Sequence, residues 1–261
     1  MEFCQWCKYL AELMGTAILI IFGVGVVANI ALEKSKGKGG GWLLINFGWG
    51  LGVMIAVYAC GWISGGHINP AITVAFAVIG LFPWSLVPGY IIAQVIGGFL
   101  GACVVYLCYK QHFDATEDPT TKRVVFCTIP EIRNYFWNGM TEAIGTGALV
   151  LGVLAIVQYG SASLGDGEIL IGGVSGGLQA FIVGLLVLVV GSSLGGPTGY
   201  AINPARDLGP RLAHAILPIK NKAPSDWAYG LTVPILGPIV GGIVGALVWK
   251  LGWEIIRSMT L

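Results

Sequence analysis

Five residues stand where chemistry could be done inside otherwise uncharged sequence: Glu12, Glu142, Arg206, Asn69 and Asn203. The two amides belong to a tripeptide that occurs twice, Asn69-Pro70-Ala71 and Asn203-Pro204-Ala205, 134 positions apart. Asn is a preferred helix N-cap, because its side-chain oxygen accepts from the first free N–H groups. Pro suits the first helical position, where no N–H is needed, and Ala propagates a helix well. Each copy therefore reads as cap, first residue and helix. The cap uses the amide oxygen and leaves the amide NH2 group to donate elsewhere. Arg206 offers several N–H donors in a fixed fork and accepts nothing. A charge at membrane depth is expensive and marks function by default. Glu12 and Glu142 read in two ways: as a proton relay of a coupled transporter, or as acceptors for backbone N–H groups of bent loops. One Glu in each half, beside the same motif, favours the second reading. His67, next to the first motif, reads as a neutral loop-anchoring or pore-lining side chain, while His112 and His214 suggest nothing.

Other chemistries are represented by weaker patterns. The six cysteines are Cys4, Cys7, Cys60, Cys103, Cys108 and Cys127. Cys4-x-x-Cys7 has redox or zinc-like spacing, yet no second Cys or His pair accompanies it. Gly173-Val174-Ser175-Gly176-Gly177 fits a nucleophile elbow, but no strand precedes it and no Asp–His pair is evident. Gly23-x-Gly25-x-x-Ala28 resembles a dinucleotide fingerprint, but lies in an apolar helix rather than a strand–turn–helix. Neither a metal nor a cofactor is expected, and the net charge of +1 gives no sign of a nucleic-acid partner.

The elements that must hold these residues are membrane-grade. Of 261 residues, 56% are hydrophobic and 10% charged, and mean hydropathy is +0.81. A soluble domain carries about 25% charged residues. There are 41 glycines without a Gly-X-Y period, which suits membrane helices and excludes a collagen-like fibre. A bilayer-spanning helix needs about 20 apolar residues. The first span is read over Tyr9–Leu32, with no small-residue cleavage site, so it reads as retained. From Gly39 to Tyr109 there is no Asp, Glu, Lys or Arg. That tract divides into a span over 42–62, a half-helix over 70–79 and a span over 86–108. Residues Lys110–Arg133 form the longest polar loop. A fourth span is read over 136–158, a turn at Asp166 and Glu168, and a fifth span over 170–192. A second half-helix over 204–216 ends at Pro218, and a sixth span covers Trp227–Trp249.

The halves match, each being span with Glu, span, Asn-Pro-Ala half-helix and span. Three spans are an odd number, so the second copy is threaded upside down. The fold class is thus an all-α membrane protein with six spans and two re-entrant half-helices in an inverted repeat. It forms a single domain over 1–261, with repeats at about 8–110 and 136–255 joined by the polar loop 111–135. Such repeats place their site at the midplane, where broken helices meet. Non-helical backbone at that depth must be buried or line a water-filled cavity. Ala93-x3-Gly97-x3-Gly101 and Gly237-x3-Gly241-x3-Gly245 set small residues on one helix face, for close packing.

Taken together, Ser64-Gly65-Gly66-His67-Ile68-Asn69-Pro70-Ala71, Gly199-Tyr200-Ala201-Ile202-Asn203-Pro204-Ala205-Arg206-Asp207, Ala11-Glu12-x-x-Gly15-Thr16 and Thr141-Glu142-x-x-Gly145-Thr146 resemble the aquaporin family over nearly the whole chain. The resemblance implies one pore per subunit and a homotetramer. It is finer to the glycerol facilitator branch. There the narrowest point takes an aromatic from the second span, a small residue on the fifth, a second aromatic and the Arg after the second Asn-Pro-Ala. Those positions fall on Trp49, Gly191, Tyr200 and Arg206. Asp207, Arg211 and Pro234-Ile235 also follow that branch, whereas water-selective members usually have His in place of Gly191, which by this resemblance opens the constriction here. The branch commonly has Phe where this chain has Tyr200.

The resemblance implies a passive channel for glycerol and related small neutral solutes, with water secondary and with ions and protons excluded. Trp49 and Tyr200 would receive the carbon edge of a polyol, Arg206 its hydroxyls. Asn69, Pro70, Ala71, Asn203, Pro204 and Ala205 would form the midplane, with Glu12, Glu142, His67 and Asp207 supporting the loops or lining the pore. Alternatives are a pore mainly for water, one for urea, dihydroxyacetone or a protonated small organic acid, a proton-coupled transporter using Glu12 and Glu142, and remotely a hydrolase using Ser175. The lipid bilayer is the expected surroundings, in a bacterial inner membrane with both termini cytoplasmic. Lys34, Lys36, Lys38, Lys122, Arg123 and Arg133 would then face outside, the reverse of the positive-inside expectation, and the pore motifs decide the orientation.

Overall fold

Caps and prolines, more than hydropathy, set where the helices of this chain begin and end. The computed structural model describes residues 3–161 and 176–259. Helix α1 is Gln5–Ala31, α2 Gly41–Ser64, α3 Pro70–Val78, α4 Val87–Ala115 and α5 Pro119–Val124. Then follow α6 Tyr135–Ser161, α7 Gly176–Leu194, α8 Pro204–Ile216, α9 Trp227–Gly230 and α10 Val233–Met259. Among the described residues six stretches are long and apolar enough to cross a bilayer, and there is no strand. The chain is an all-α, multi-pass membrane protein with six spans and two half-helices.

Both half-helices start as the tripeptides predict. Asn69 and Asn203 are extended N-caps whose Oδ1 atoms accept from Ala71 N at 2.8 Å and from Ala205 N at 3.0 Å. The second ends at Leu217, held extended (ψ 142°) by Pro218, whose ring disfavours a helical conformation just before it. Three termini that differ from the hydropathy reading share one cause. A charge ends an apolar window, but it does not end a ladder of backbone hydrogen bonds. Thus α1 begins at Gln5, before Tyr9, with Cys4 as its cap. Helix α4 runs on through Lys110 to Ala115, the pair Lys110–Asp114 bridging one turn on its exposed end. Helix α10 continues past Lys250 to Met259. The polar loop contains α5, capped by Asp118, which accepts from Thr121 N at 2.7 Å, with Pro119 as first residue. The expected sixth span is divided into α9 and α10, because Pro234 brings no N–H to the junction. Helix α7 is described from Gly176. The predicted stretch 170–175, the Asp166–Glu168 turn and Ser175 lie outside the described residues.

The two repeats exchange partners. Helix α1 packs on α2 and α4, and α6 on α7 and α10, while α2 meets α7 along the seam between repeats. Half-helix α3 leans on α10 and half-helix α8 on α4, so each half-helix is held by the last span of the other repeat. Glycines make this possible. A Cβ at Gly101 would meet Ala17 O of α1 at 2.5 Å, and one at Gly245 would meet Gly147 O of α6 at 2.5 Å. One residue after each stripe's middle glycine, a Cβ at Gly98 would meet Ala205 O at 2.8 Å and one at Gly242 would meet Ala71 O at 3.1 Å. The stripes read from sequence therefore act in packing, and their neighbours seat the Asn-Pro-Ala segments. The outward faces carry exposed Leu43, Trp62, Leu107 and Val240, a surface suited to lipid.

Candidate functional site

The midplane is built from strained loops tied down by carboxylates. Ile68 and Ile202, each just before an Asn cap, both adopt φ +42°. For a β-branched residue this left-handed conformation costs about 1–3 kcal/mol and persists only where its surroundings enforce it. Glu12 and Glu142 enforce it. Glu12, 0% exposed, accepts from Ile68 N (2.6 Å), His67 N (2.9 Å), Ser64 Oγ (2.7 Å) and Gln94 Nε2 (2.8 Å). Glu142, 1% exposed, accepts from Ile202 N (2.7 Å) and Ala201 N (2.9 Å). Both carboxylates thus receive the backbone N–H groups that each re-entrant turn leaves over. Among the described residues their oxygens face backbone, hydroxyl and amide donors and not a chain of titratable partners.

The Asn side chains do more than cap. Asn69 Nδ2 donates to Ile202 O at 2.9 Å, and Asn203 Nδ2 donates to Ile68 O at 2.8 Å. Each amide therefore spends one N–H on the opposite loop, which corrects the expectation that the whole NH2 group is free. One N–H per amide remains, and both residues border the same cavity. The reciprocal pair locks the two loops together across the pseudo-two-fold axis. Helices α3 and α8 meet N-terminus to N-terminus there, each presenting about half a positive charge.

Two cavities, of about 150 Å³ and about 120 Å³, approach each other along the molecule. Trp49, Tyr200 and Arg206 border both and form the wall between them. The Arg206 guanidinium carbon stands 4.0 Å from the centre of the Trp49 ring, a cation–π contact. Arg206 Nη2 reaches Gly199 O at 3.4 Å, and its own N–H is capped by Asn203 Oδ1 at 3.2 Å. The wall between the cavities is therefore two aromatic surfaces beside one cation that retains donors. Gly191 is brought to this point but acts from behind. A Cβ there would lie 2.7 Å from Tyr200 Cζ, so the missing side chain makes room for the Tyr200 ring. The space that the sequence suggests Gly191 opens is filled by that ring.

The remaining predicted residues separate into anchors and linings. His67 borders the larger cavity, its ring among Phe76, Phe82 and Tyr90. Its Nδ1 lies 3.1 Å from Thr73 Oγ1, whose proton goes to Asn69 O at 3.0 Å. A hydroxyl has one proton to give, so His67 Nδ1 carries the hydrogen of their contact. Asp207 is an anchor, not a lining residue. It accepts from Thr128 N (2.8 Å) and from Arg211 Nε (2.6 Å) and Nη2 (2.9 Å), with both charged side chains fully buried. Arg211 also donates to Thr128 O at 2.9 Å and to the carbonyl of Ser225. This knot ties the segment after α5 to α8. Gln94, Thr73 and Thr128 were not singled out in the sequence, although a lone Gln in an uncharged span is the kind of signal that finds such residues. Cys4 and Cys7 place their Sγ atoms 2.8 Å apart on the exposed first turn of α1. Among the described residues no group of three or more His, Cys, Asp or Glu side chains could hold a metal ion.

With this geometry in place, the chain can be set beside known proteins. The family model described as "Major intrinsic protein" matches residues 1–249. The chain belongs to the major intrinsic protein family. A "Probable glycerol uptake facilitator protein" of Thermotoga maritima is 56% identical over 229 residues, covering 88% of this chain and 92% of the relative. The "Glycerol uptake facilitator protein" of Bacillus subtilis is 51% identical over 226 residues, covering 87% of this chain and 77% of the relative. Among solved structures, the aquaglyceroporin from Plasmodium falciparum superposes with a TM-score of 0.80 at 30% identity, covering 94% of this chain and 96% of the other. The major intrinsic protein fold, with six spans and two half-helices, is the architecture described above.

Proposed function

We propose that this protein is a passive channel for glycerol and related small neutral solutes, with water as a secondary permeant and with ions and protons excluded. The wall shared by the two cavities carries this reading. Trp49 and Tyr200 offer apolar surface to the carbon edge of a polyol, and Arg206 opposite offers donors to its hydroxyl oxygens. Such a pairing suits a molecule with one apolar and one polar edge. The relatives named glycerol uptake facilitators, at 56% and 51% identity, support the same solute. Two half-helix N-termini and the buried guanidinium of Arg206 together set a barrier against cations and protons. The remaining N–H of Asn69 and of Asn203 donates to the passing oxygen. Glu12 and Glu142 hold loop N–H groups, which speaks against a coupled proton relay. No catalytic step is assigned to the chain.

The chain acts as one channel domain per subunit, each with its own pore, in a homotetramer. It resides in a bacterial inner membrane with both termini in the cytoplasm. The test is stopped-flow light scattering on proteoliposomes. Glycerol entry should exceed that of protein-free vesicles by at least about tenfold. Gly191→His, whose side chain would displace the Tyr200 ring, should lose it. Water flux with glycerol entry no faster than in empty vesicles would overturn the solute assignment.

A further inference from the structure

Three polar side chains at the constriction are buried without a hydrogen-bond partner among the described residues. They are the Asn46 amide, with both of its polar atoms, the Tyr200 hydroxyl and the Trp49 indole N–H. Asn46 is 0% exposed and Tyr200 3%. Buried polar groups are paired in the great majority of cases, so such a cluster calls for a reason. Trp42, Asn46 and Trp49 follow one another at helical spacing on the face of α2 that meets α7. Trp42 Nε1 donates to Gly191 O at 3.2 Å, and its ring stands edge-on to Tyr200 at 5.6 Å. The Tyr200 ring lies along α7, its Cδ1 beside Gly195 and its Cζ, which bears the hydroxyl, beside Gly191. A Cβ at position 191 would stand 2.6 Å from Asn46 Oδ1 and 2.7 Å from Tyr200 Cζ. The amide oxygen and the phenol carbon are therefore no farther apart than those two distances together, a gap that one water closes. The ring borders both cavities, yet its hydroxyl is shut off from solvent.

We propose that Asn46 is a positioning residue that sets solute specificity by holding the Tyr200 hydroxyl in the α2–α7 seam, directly or through one water. Only the apolar part of the ring then faces a passing solute. An amide both donates and accepts, so it receives a phenol in either sense. Gly191 supplies the room for the contact. The inference rests on the facilitator reading above and adds to it a residue outside the lumen that keeps the extra hydroxyl from obstructing or polarising the wall.

The experiment is a double-mutant cycle in proteoliposomes, reading glycerol and water permeability by stopped-flow light scattering. Asn46→Leu strands the hydroxyl in an apolar seam and drives the ring toward the lumen. It should lower the glycerol-to-water ratio by about fivefold or more. Tyr200→Phe is measured as the second background, whatever ratio it has itself, and adding Asn46→Leu to it should change that ratio by less than about twofold. No loss in Asn46→Leu, or an equal loss with Tyr and with Phe at position 200, overturns the proposal. If Asn46→Leu does not assemble, Asn46→Ser is read in the same cycle, and rescue by Tyr200→Phe again decides. A parent protein without glycerol flux would sink the facilitator reading instead. The Asn46–Tyr200 coupling would then be judged on water permeability, where rescue supports it and additivity overturns it.

Discussion

Replacing Glu12 by Gln changes one oxygen of a buried carboxylate into an NH2 group, and the structure makes the consequence calculable. Oε1 accepts from Ser64 Oγ and His67 N, while Oε2 accepts from Ile68 N and Gln94 Nε2. Whichever way the Gln amide turns, its NH2 must face a backbone N–H, of His67 or of Ile68. One charge-assisted bond is lost and one buried donor is stranded, together about 3 kcal/mol. For a chain of this length that corresponds to a drop of roughly 6–12 °C in Tm. Because Ile68 is held at φ +42°, the stranded turn also relaxes and carries the Asn69 cap with it. The assay is thermal unfolding of the purified protein in detergent, followed by the loss of its size-exclusion peak, alongside glycerol permeability in proteoliposomes. Stability and permeability should fall together. A Glu12→Gln protein as stable as the parent, with transport that has only lost its dependence on a pH gradient, would refute the loop-anchor account and restore the proton relay.

Three more outcomes follow from the same contacts. Glu142→Gln should also destabilise, because its carboxylate accepts from Ala201 N and Ile202 N and a Gln NH2 must face one of them; the same thermal assay reads it. Arg211→Ala leaves the Asp207 carboxylate buried without its cation and should cost about 3–5 kcal/mol, seen as failure to give a monodisperse peak at temperatures the parent tolerates. Asn203→Asp keeps the capping oxygen but exchanges the donor to Ile68 O for a negative charge at the meeting point of two half-helices. Cation or proton conductance in planar bilayers should rise above the parent's, and an unchanged conductance would count against the electrostatic barrier.

Much of the architecture is legible in the sequence because its strongest determinants are local. Asn-Pro-Ala specifies a helix start with no help from the rest of the chain, and its repetition beside a repeated Glu reveals the inverted halves. The helix ends are less legible. Hydropathy stops at Lys110 and Lys250, whereas the backbone ladder continues until a residue such as Thr116 turns extended. Contacts between repeats are the least legible. The bond from Asn69 to Ile202 joins residues far apart in sequence, and nothing local shows that each amide spends a proton on the opposite loop. The same holds for Gly191. Its type suggests an open gap, but only the placed ring of Tyr200 shows that the gap is filled. Asn46 carries a signal of its own, as an amide near the start of an uncharged span, but only the placement of α7 beside it shows which groups it borders.

The account's central claim is passive conduction of a neutral polyol with protons held back. The most direct measurement follows internal pH with a trapped dye while a glycerol gradient collapses across proteoliposomes, with and without an uncoupler. The account predicts that glycerol equilibrates to equal concentrations on both sides, at a rate the uncoupler does not alter, with no pH change tracking its entry. Accumulation above the external concentration, or a pH change that follows glycerol entry and vanishes with the uncoupler, would contradict it.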